Sequence, residues 1–138
     1  MGKTGRELWV LGGHIMYDLH MKRVYENVEK EDGFRILVDR LWPRGVKKEE
    51  LSHYEWAKNI APTAGLRKAF NHEKDKFAQF KTDYLNELAE NEAADAFIET
   101  VREELNEHNV TLLYAAKDTE TNHVVVLSAW LKEQLKLN

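Results

Sequence analysis

Two short strings hold most of the side chains that could do chemistry. Asp39-Arg40-Leu41-Trp42-Pro43-Arg44-Gly45 offers a carboxylate and two guanidinium forks; Ala115-Ala116-Lys117-Asp118-Thr119-Glu120-Thr121-Asn122-His123 offers an ammonium, carboxylates, an amide and an imidazole. Arginine presents a planar set of donors that matches carboxylate or phosphate, and Lys117 adds a point charge. His123 is the natural proton carrier near neutral pH, with Asp118 or Asp39 to orient it. Together the strings describe a site that binds a small anion through Arg40, Trp42, Arg44, Lys117 and Asn122, with His123, Asp118 and Asp39 as the acid–base group. Each also has a plainer reading. Asp39 pairs with Arg40 or caps a turn, Trp42-Pro43 plugs the loop, and His123 is a hydrogen-bonded structural residue.

These strings need strands to carry them. Phe34 to Asp39 and Val110 to Ala115 are short apolar runs rich in β-branched residues, which predicts two buried strands, each ending where a string begins. Met21 to Tyr25 is a weaker strand and Arg6 to Leu11 an irregular fourth. Between the clear strands the apolar period becomes helical. Ser52 and Glu55 have capping-box spacing, which predicts a short helix ending before Pro62; Thr63 can cap a second helix from Ala64 to Phe70. Phe77, Phe80, Tyr84 and Leu88 mark a third helix, and Ala94, Phe97, Ile98, Val101 and Leu105 a fourth. A last helix runs from Asn122 to Leu135.

This alternation predicts a small three-layer α/β domain: a mostly parallel central sheet of three to four strands with helices on both faces. In such open sheets ligands sit beyond the carboxyl ends of the strands, where both strings fall.

Composition narrows the classes. A chain of 138 residues suits one domain and can bury roughly 68% of its unfolded surface, enough for a core of its own. The absence of cysteine excludes disulfides, Cys-ligated metal and thiolate nucleophiles, and fits a cytoplasmic location. No run approaches the ~20 apolar residues of a membrane span, and no membrane partner is expected. The six histidines show no metal-ligand spacing, and the phosphate-loop, dinucleotide, zinc-protease and serine-elbow motifs are all missing, so neither metal nor cofactor is expected. Residues 1 to 69 carry 13 Lys and Arg against 10 Asp and Glu, and residues 70 to 138 carry 7 against 14. The basic excess concentrates from Arg35 to Lys48, a patch that suits one anionic group better than a long nucleic-acid backbone.

Lys22 to Tyr25, RILVDRLWPRG from Arg35 to Gly45, WAKNIAP from Trp56 to Pro62, LRKAF from Leu66 to Phe70, and Val110 to Leu127 resemble the YeaO-like family, domain of unknown function 488. The resemblance covers about residues 21 to 132 and implies a compact α/β domain with these strings grouped together. It implies no reaction, because the family has none agreed. More distant relatives carry Cys-His-Arg where this chain has Asn122-His123-Val124, so the histidine is kept and a thiol-dependent role is disfavoured. Residues 1 to 20 read as an N-terminal extension before a single domain at 21 to 138. Gly12 and Gly13, whose codons are G-rich, lie at ribosome-binding distance before Met16, which points to a natural start at Met16 or Met21.

The expected function is binding of a small anionic ligand, a nucleotide or phosphorylated metabolite, with acid–base catalysis as an added capacity. The alternative is a non-catalytic module that binds nucleic acid or a protein through the Arg35 to Lys48 loop, with Trp42 stacking on a base. Composition and spacing carry no signal for oligomeric state.

Overall fold

The computed structural model describes residues 3–4, 8–11, 14–49, 51 and 54–136, with side chains described from residue 16 onward. Among the described residues four parallel strands form the central sheet. Numbered along the chain they are β4 (Leu19–Arg23), β5 (Phe34–Leu37), β6 (Tyr54–Trp56) and β7 (Val110–Tyr114), lying in the order β4-β7-β5-β6. The last strand of the chain therefore sits between the first two, its register running from Leu19↔Val110 to Arg23↔Tyr114 on one side and from Phe34↔Val110 to Leu37↔Leu113 on the other. All five residues of β7 are buried, as a strand paired on both edges and covered on both faces requires.

Among the described residues the sheet is accompanied by four α-helices: α1 (Ala64–Phe70), α2 (Phe77–Glu90), α3 (Ala94–Leu105) and α4 (His123–Leu135). The Thr63 hydroxyl accepts the Leu66 N–H and starts α1, and the Asn122 amide oxygen accepts the Val125 N–H and starts α4. Phe80, Tyr84 and Leu88 of α2 and Phe97, Val101 and Leu105 of α3 meet Ile36, Val38, Leu112 and Tyr114 in the main core. Every α-helix contributes to this cluster. The opposite face carries a smaller cluster, Val24, Leu37, Leu51 and Leu113, closed by Trp42, Val46, Tyr54 and Trp56 from the segment after β5. Its cover, among the described residues, is that segment rather than an α-helix.

The short helix expected from Ser52 and Glu55 to before Pro62 is present only as a 3-10 turn at Lys58–Ile60; Tyr54–Trp56 is instead β6, whose residues pair in parallel with β5 from Arg35↔Tyr54 to Leu37↔Trp56. Tyr54 and Trp56 alternate onto one face and pack at 5.5 and 5.3 Å from the Trp42 ring, a contact that outweighs local capping. Ser52 itself lies outside the described residues. The strand expected at Met21 to Tyr25 runs instead from Leu19 to Arg23. Of the Arg6 to Leu11 strand, Arg6 and Glu7 lie outside the described residues; Leu8–Leu11 (β2) joins a separate antiparallel sheet with Lys3–Thr4 (β1) and His14–Met16 (β3). The expected start site concerns residues 1 to 15, whose side chains lie outside the described residues. Met16 and Leu19 belong to the main core, and the Asp18 carbonyl accepts the Val110 N–H at 3.0 Å.

One glycine is indispensable to this arrangement. Gly33 opens β5 with φ +64°, and a Cβ there would collide with the Asn109 carbonyl, which accepts the Phe34 N–H at 2.7 Å.

Candidate functional site

The carboxyl ends of β5 and β7 lie side by side, so the two chemistry-bearing strings open into one cleft of about 990 Å³. Asp39, Arg40, Trp42, Arg44, Lys117, Asp118, Asn122 and His123 all line it. Chain direction changes there: β5 leads outward to β6, while β7 leads into α4, which packs on β4 and β7. Open α/β sheets bind ligands outside the carboxyl ends of their strands, where this cleft lies.

At its floor, Asp39 ties the two strand ends together. One carboxylate oxygen accepts the Ala115 N–H at 2.9 Å, and its main-chain carbonyl accepts the Trp56 indole N–H at 2.7 Å. The other carboxylate oxygen lies 3.4 Å from His123 Nε2, which also meets the Val38 carbonyl at 3.0 Å. A carbonyl only accepts, so Nε2 carries the hydrogen, and Nδ1 of the neutral ring keeps the lone pair. Burial pushes the His123 imidazole down to about 4, with the Val38 carbonyl opposing and the positive charge of Arg67 assisting. Burial likewise pushes the Asp39 carboxyl up to about 6, against the pull of the Ala115 N–H and Arg67. At neutral pH the imidazole is uncharged and Asp39 mostly ionised; on acidification Asp39 takes the proton first. The expectation of an imidazole titrating near neutrality is thus corrected, and the cause is desolvation.

The expected pairing of Asp118 with His123 is also corrected. Asp118 folds onto its own loop, accepting the N–H groups of Glu120 at 2.8 Å and Thr121 at 2.9 Å and the Thr121 hydroxyl. These hydrogen bonds, led by the Thr121 hydroxyl, pull its carboxyl down to about 2. Asn122 is buried, and its amide is spent on the α4 cap and on the Asp118 carbonyl at 2.8 Å. Such local side-chain-to-backbone bonds shape a turn.

The basic residues divide into two groups. Arg40 gives Nε to the Pro62 carbonyl and Nη2 to the Ala61 carbonyl, both at 2.9 Å, and so clamps the segment before α1. Arg23 clamps the β7 loop in the same way, through Ala116 at 2.9 Å and Ala115 at 3.1 Å. Arg44 and Lys117, by contrast, are exposed, and neither has a carboxylate within ion-pair distance among the described residues. Arg67 and Lys68 of α1 share that condition and line the same cleft. Sequence reasoning missed both, because with β6 read as a helix nothing placed α1 above the sheet's carboxyl edge. The signal available was the Leu66-Arg67-Lys68 string on a helix capped by Thr63.

Trp42 is half-buried, donates to the Val46 carbonyl at 2.6 Å and has Lys48 Nζ 5.9 Å from its ring. Arg35, counted among the basic loop, lies 2% exposed on the other face beside Asp32. Among the described residues no cluster of three potential ligands could hold a metal ion, and no helix is long and apolar enough to cross a membrane.

A family model described as the inactive DUF488-N3 subclade matches residues 18–138. The chain belongs to the YeaO-like DUF488 family. "Uncharacterized protein YeaO" of Escherichia coli (strain K12) is 46% identical over 115 residues, 83% of this chain and 97% of that one. "Uncharacterized protein Rv3073c" of Mycobacterium tuberculosis (strain ATCC 25618 / H37Rv) is 32% identical over 113 residues, 82% of this chain and 92% of that one. No solved structure matches the chain. In this DUF488 member the two strings quoted above meet at the cleft, with Asp39 and His123 at its floor.

Proposed function

We propose that the protein holds a small organic anion, phosphate-bearing by preference, in this cleft and does not convert it. The observation that carries the reading is that four cations, Arg44, Arg67, Lys68 and Lys117, line one cleft with no carboxylate within ion-pair distance among the described residues. Exposed cations at a concave site raise the local concentration of an anion and contribute charge-assisted hydrogen bonds to it. Two facts favour binding over catalysis. Burial holds the His123 imidazole at about 4, so its free nitrogen is a weak base near neutral pH, and the matching subclade is described as inactive. The nucleic-acid alternative is less well supported, because the Trp42 ring packs against Tyr54 and Trp56 and Arg35 is buried.

Calorimetric titration with inorganic pyrophosphate tests the reading. Binding should weaken at least tenfold, ~1.4 kcal/mol, in Arg67→Ala and in Lys117→Ala, with a shallow dependence on salt. Unchanged affinity in both variants, or no heat from pyrophosphate at millimolar concentration, overturns the site. Phosphorus NMR of the same mixture should show pyrophosphate intact after prolonged incubation; release of phosphate overturns the non-catalytic reading.

A further inference from the structure

The cleft is far larger than an inorganic anion needs. Its 990 Å³ lies at the upper end of the range of small-molecule sites, about 300–1,000 Å³, whereas an oxyanion fills a few water volumes of about 30 Å³ each. The remaining space has a distinct lining. Leu41 is 61% exposed and Tyr25 47% exposed, and both line this cleft. Single exposed apolar side chains are ordinary, but Tyr25 is held at its hydroxyl and over one face of its ring. Its hydroxyl donates to the Arg44 carbonyl at 2.9 Å, and the Arg23 guanidinium carbon lies 5.0 Å from its ring centroid. Arg23 is itself fixed by its two loop carbonyls. The phenol ring is therefore presented as an oriented surface, and a ligand that stacks on it spends little side-chain entropy.

Position adds the second part. Tyr25 follows β4, at one edge of the sheet, Lys117 follows the neighbouring β7, and Arg67 bears electrostatically on Asp39, at the end of β5, and on His123. Two strand spacings of about 4.8 Å separate β4 from β5, about 10 Å, which a ligand with an anionic end and a flat end could bridge. Resting on the anion-binding reading, we propose that the ligand class is the mononucleotides: the phosphate meets Arg67, Lys68 and Lys117, and the base lies against Tyr25 and Leu41. Base–aromatic stacking tolerates any base, so no choice among the four is implied.

The test uses the full chain and titrates AMP, CMP, GMP, UMP and ribose 5-phosphate separately, into wild type, Tyr25→Ala, Tyr25→Phe and Leu41→Ser. The nucleotides should bind at least tenfold more tightly than ribose 5-phosphate. Tyr25→Ala should remove most of that advantage while leaving ribose 5-phosphate within twofold, Leu41→Ser should reduce it, and Tyr25→Phe should retain most of it. An unchanged melting temperature of Tyr25→Ala shows that the variant is folded; if it is not, the ratio of nucleotide to ribose 5-phosphate affinity in wild type and Leu41→Ser decides. Equal binding of nucleotides and ribose 5-phosphate in wild type overturns the nucleotide assignment and leaves the anion site standing. Failure of every phosphate to bind overturns the anion site, and the nucleotide assignment with it.

Discussion

On the second face of the sheet Lys22, Asp32 and Arg35 lie at 9%, 6% and 2% exposure, whereas at the carboxyl edge Arg44, Arg67, Lys68 and Lys117 are exposed. The buried set is spent on itself. Lys22 Nζ reaches both Asp32 and Glu29 at 3.0 Å, Arg35 Nε lies 3.5 Å from Asp32, and the Asp32 carbonyl accepts the Thr111 hydroxyl at 2.7 Å. Burial acts to lower the Lys22 ammonium pKa, yet its bonds to Asp32 and Glu29 hold it raised. The edge cations have no carboxylate within ion-pair distance among the described residues. One sheet thus shows the same residue types ion-paired on its second face and without ion pairs, among the described residues, at its carboxyl edge, where the proposed anion would meet them. The partnering of a charge, more than its identity, separates structural from binding roles.

The comparison breaks most sharply at Asp32. Asp32→Ala removes the shared counterion of Lys22 and Arg35 and should cost about 3–5 kcal/mol in urea unfolding, with pyrophosphate affinity of the folded protein unchanged. A cost below about 1 kcal/mol would place the buried set on a level with surface ion pairs. Next in size is Arg40, a cleft residue that behaves like the buried set. Losing its bonds to Ala61 and Pro62 should cost about 2 kcal/mol in Arg40→Ala, while Arg67→Ala should stay within about 0.5 kcal/mol of wild type. Equal stability of the two variants would erase the distinction drawn within the cleft.

That distinction marks how much the sequence could say. The gathering of eight candidate residues was legible, because β5 and β7 are strongly apolar and both strings follow their carboxyl ends. Helices α1 to α4 were legible from period and caps. Roles were not. Arg40 is occupied by carbonyls 21 and 22 residues away, a contact that no local pattern encodes. Asp118 chose N–H groups two and three residues ahead, and in an Asp-x-x-Thr loop that local bond competes directly with a bond to His123. Strand β6 was hidden because three residues are too few to show a period, and its aromatic packing lies across the sequence on Trp42.

A pH experiment probes the cleft floor, where the two regions' logics meet. The His123 pKa falls from 6.5 to about 4 on folding, so it contributes stability above pH 6.5 that is lost as pH falls toward 4. Asp39 does the reverse: its pKa rises from 3.8 to about 6, so its contribution is present below pH 4 and lost as pH rises through 6. Between pH 6.5 and 4.5 the two effects oppose each other at about 2 kcal/mol each. Relative to wild type, Asp39→Asn should lose about 2 kcal/mol more on acidification across that window, and His123→Gln about 2 kcal/mol less. Urea titrations at the two pH values measure both, and parallel behaviour of the two variants would refute the opposed titration.

The smallest effect on stability belongs to Arg44, and it discriminates most finely between the two uses of charge. Its side chain is exposed, and its one described hydrogen bond runs from the Tyr25 hydroxyl to its main-chain carbonyl, which substitution retains. Arg44→Lys and Arg44→Ala should therefore both unfold within about 0.5 kcal/mol of wild type. Affinity should separate them from wild type and from each other. Lysine keeps the charge but loses the planar fork, so Arg44→Lys should fall between wild type and Arg44→Ala in pyrophosphate binding. If the lysine variant binds as wild type does, Arg44 acts through the field of the cleft alone. If alanine also binds as wild type does, Arg44 joins the solvated surface, and the open set contracts to Arg67, Lys68 and Lys117.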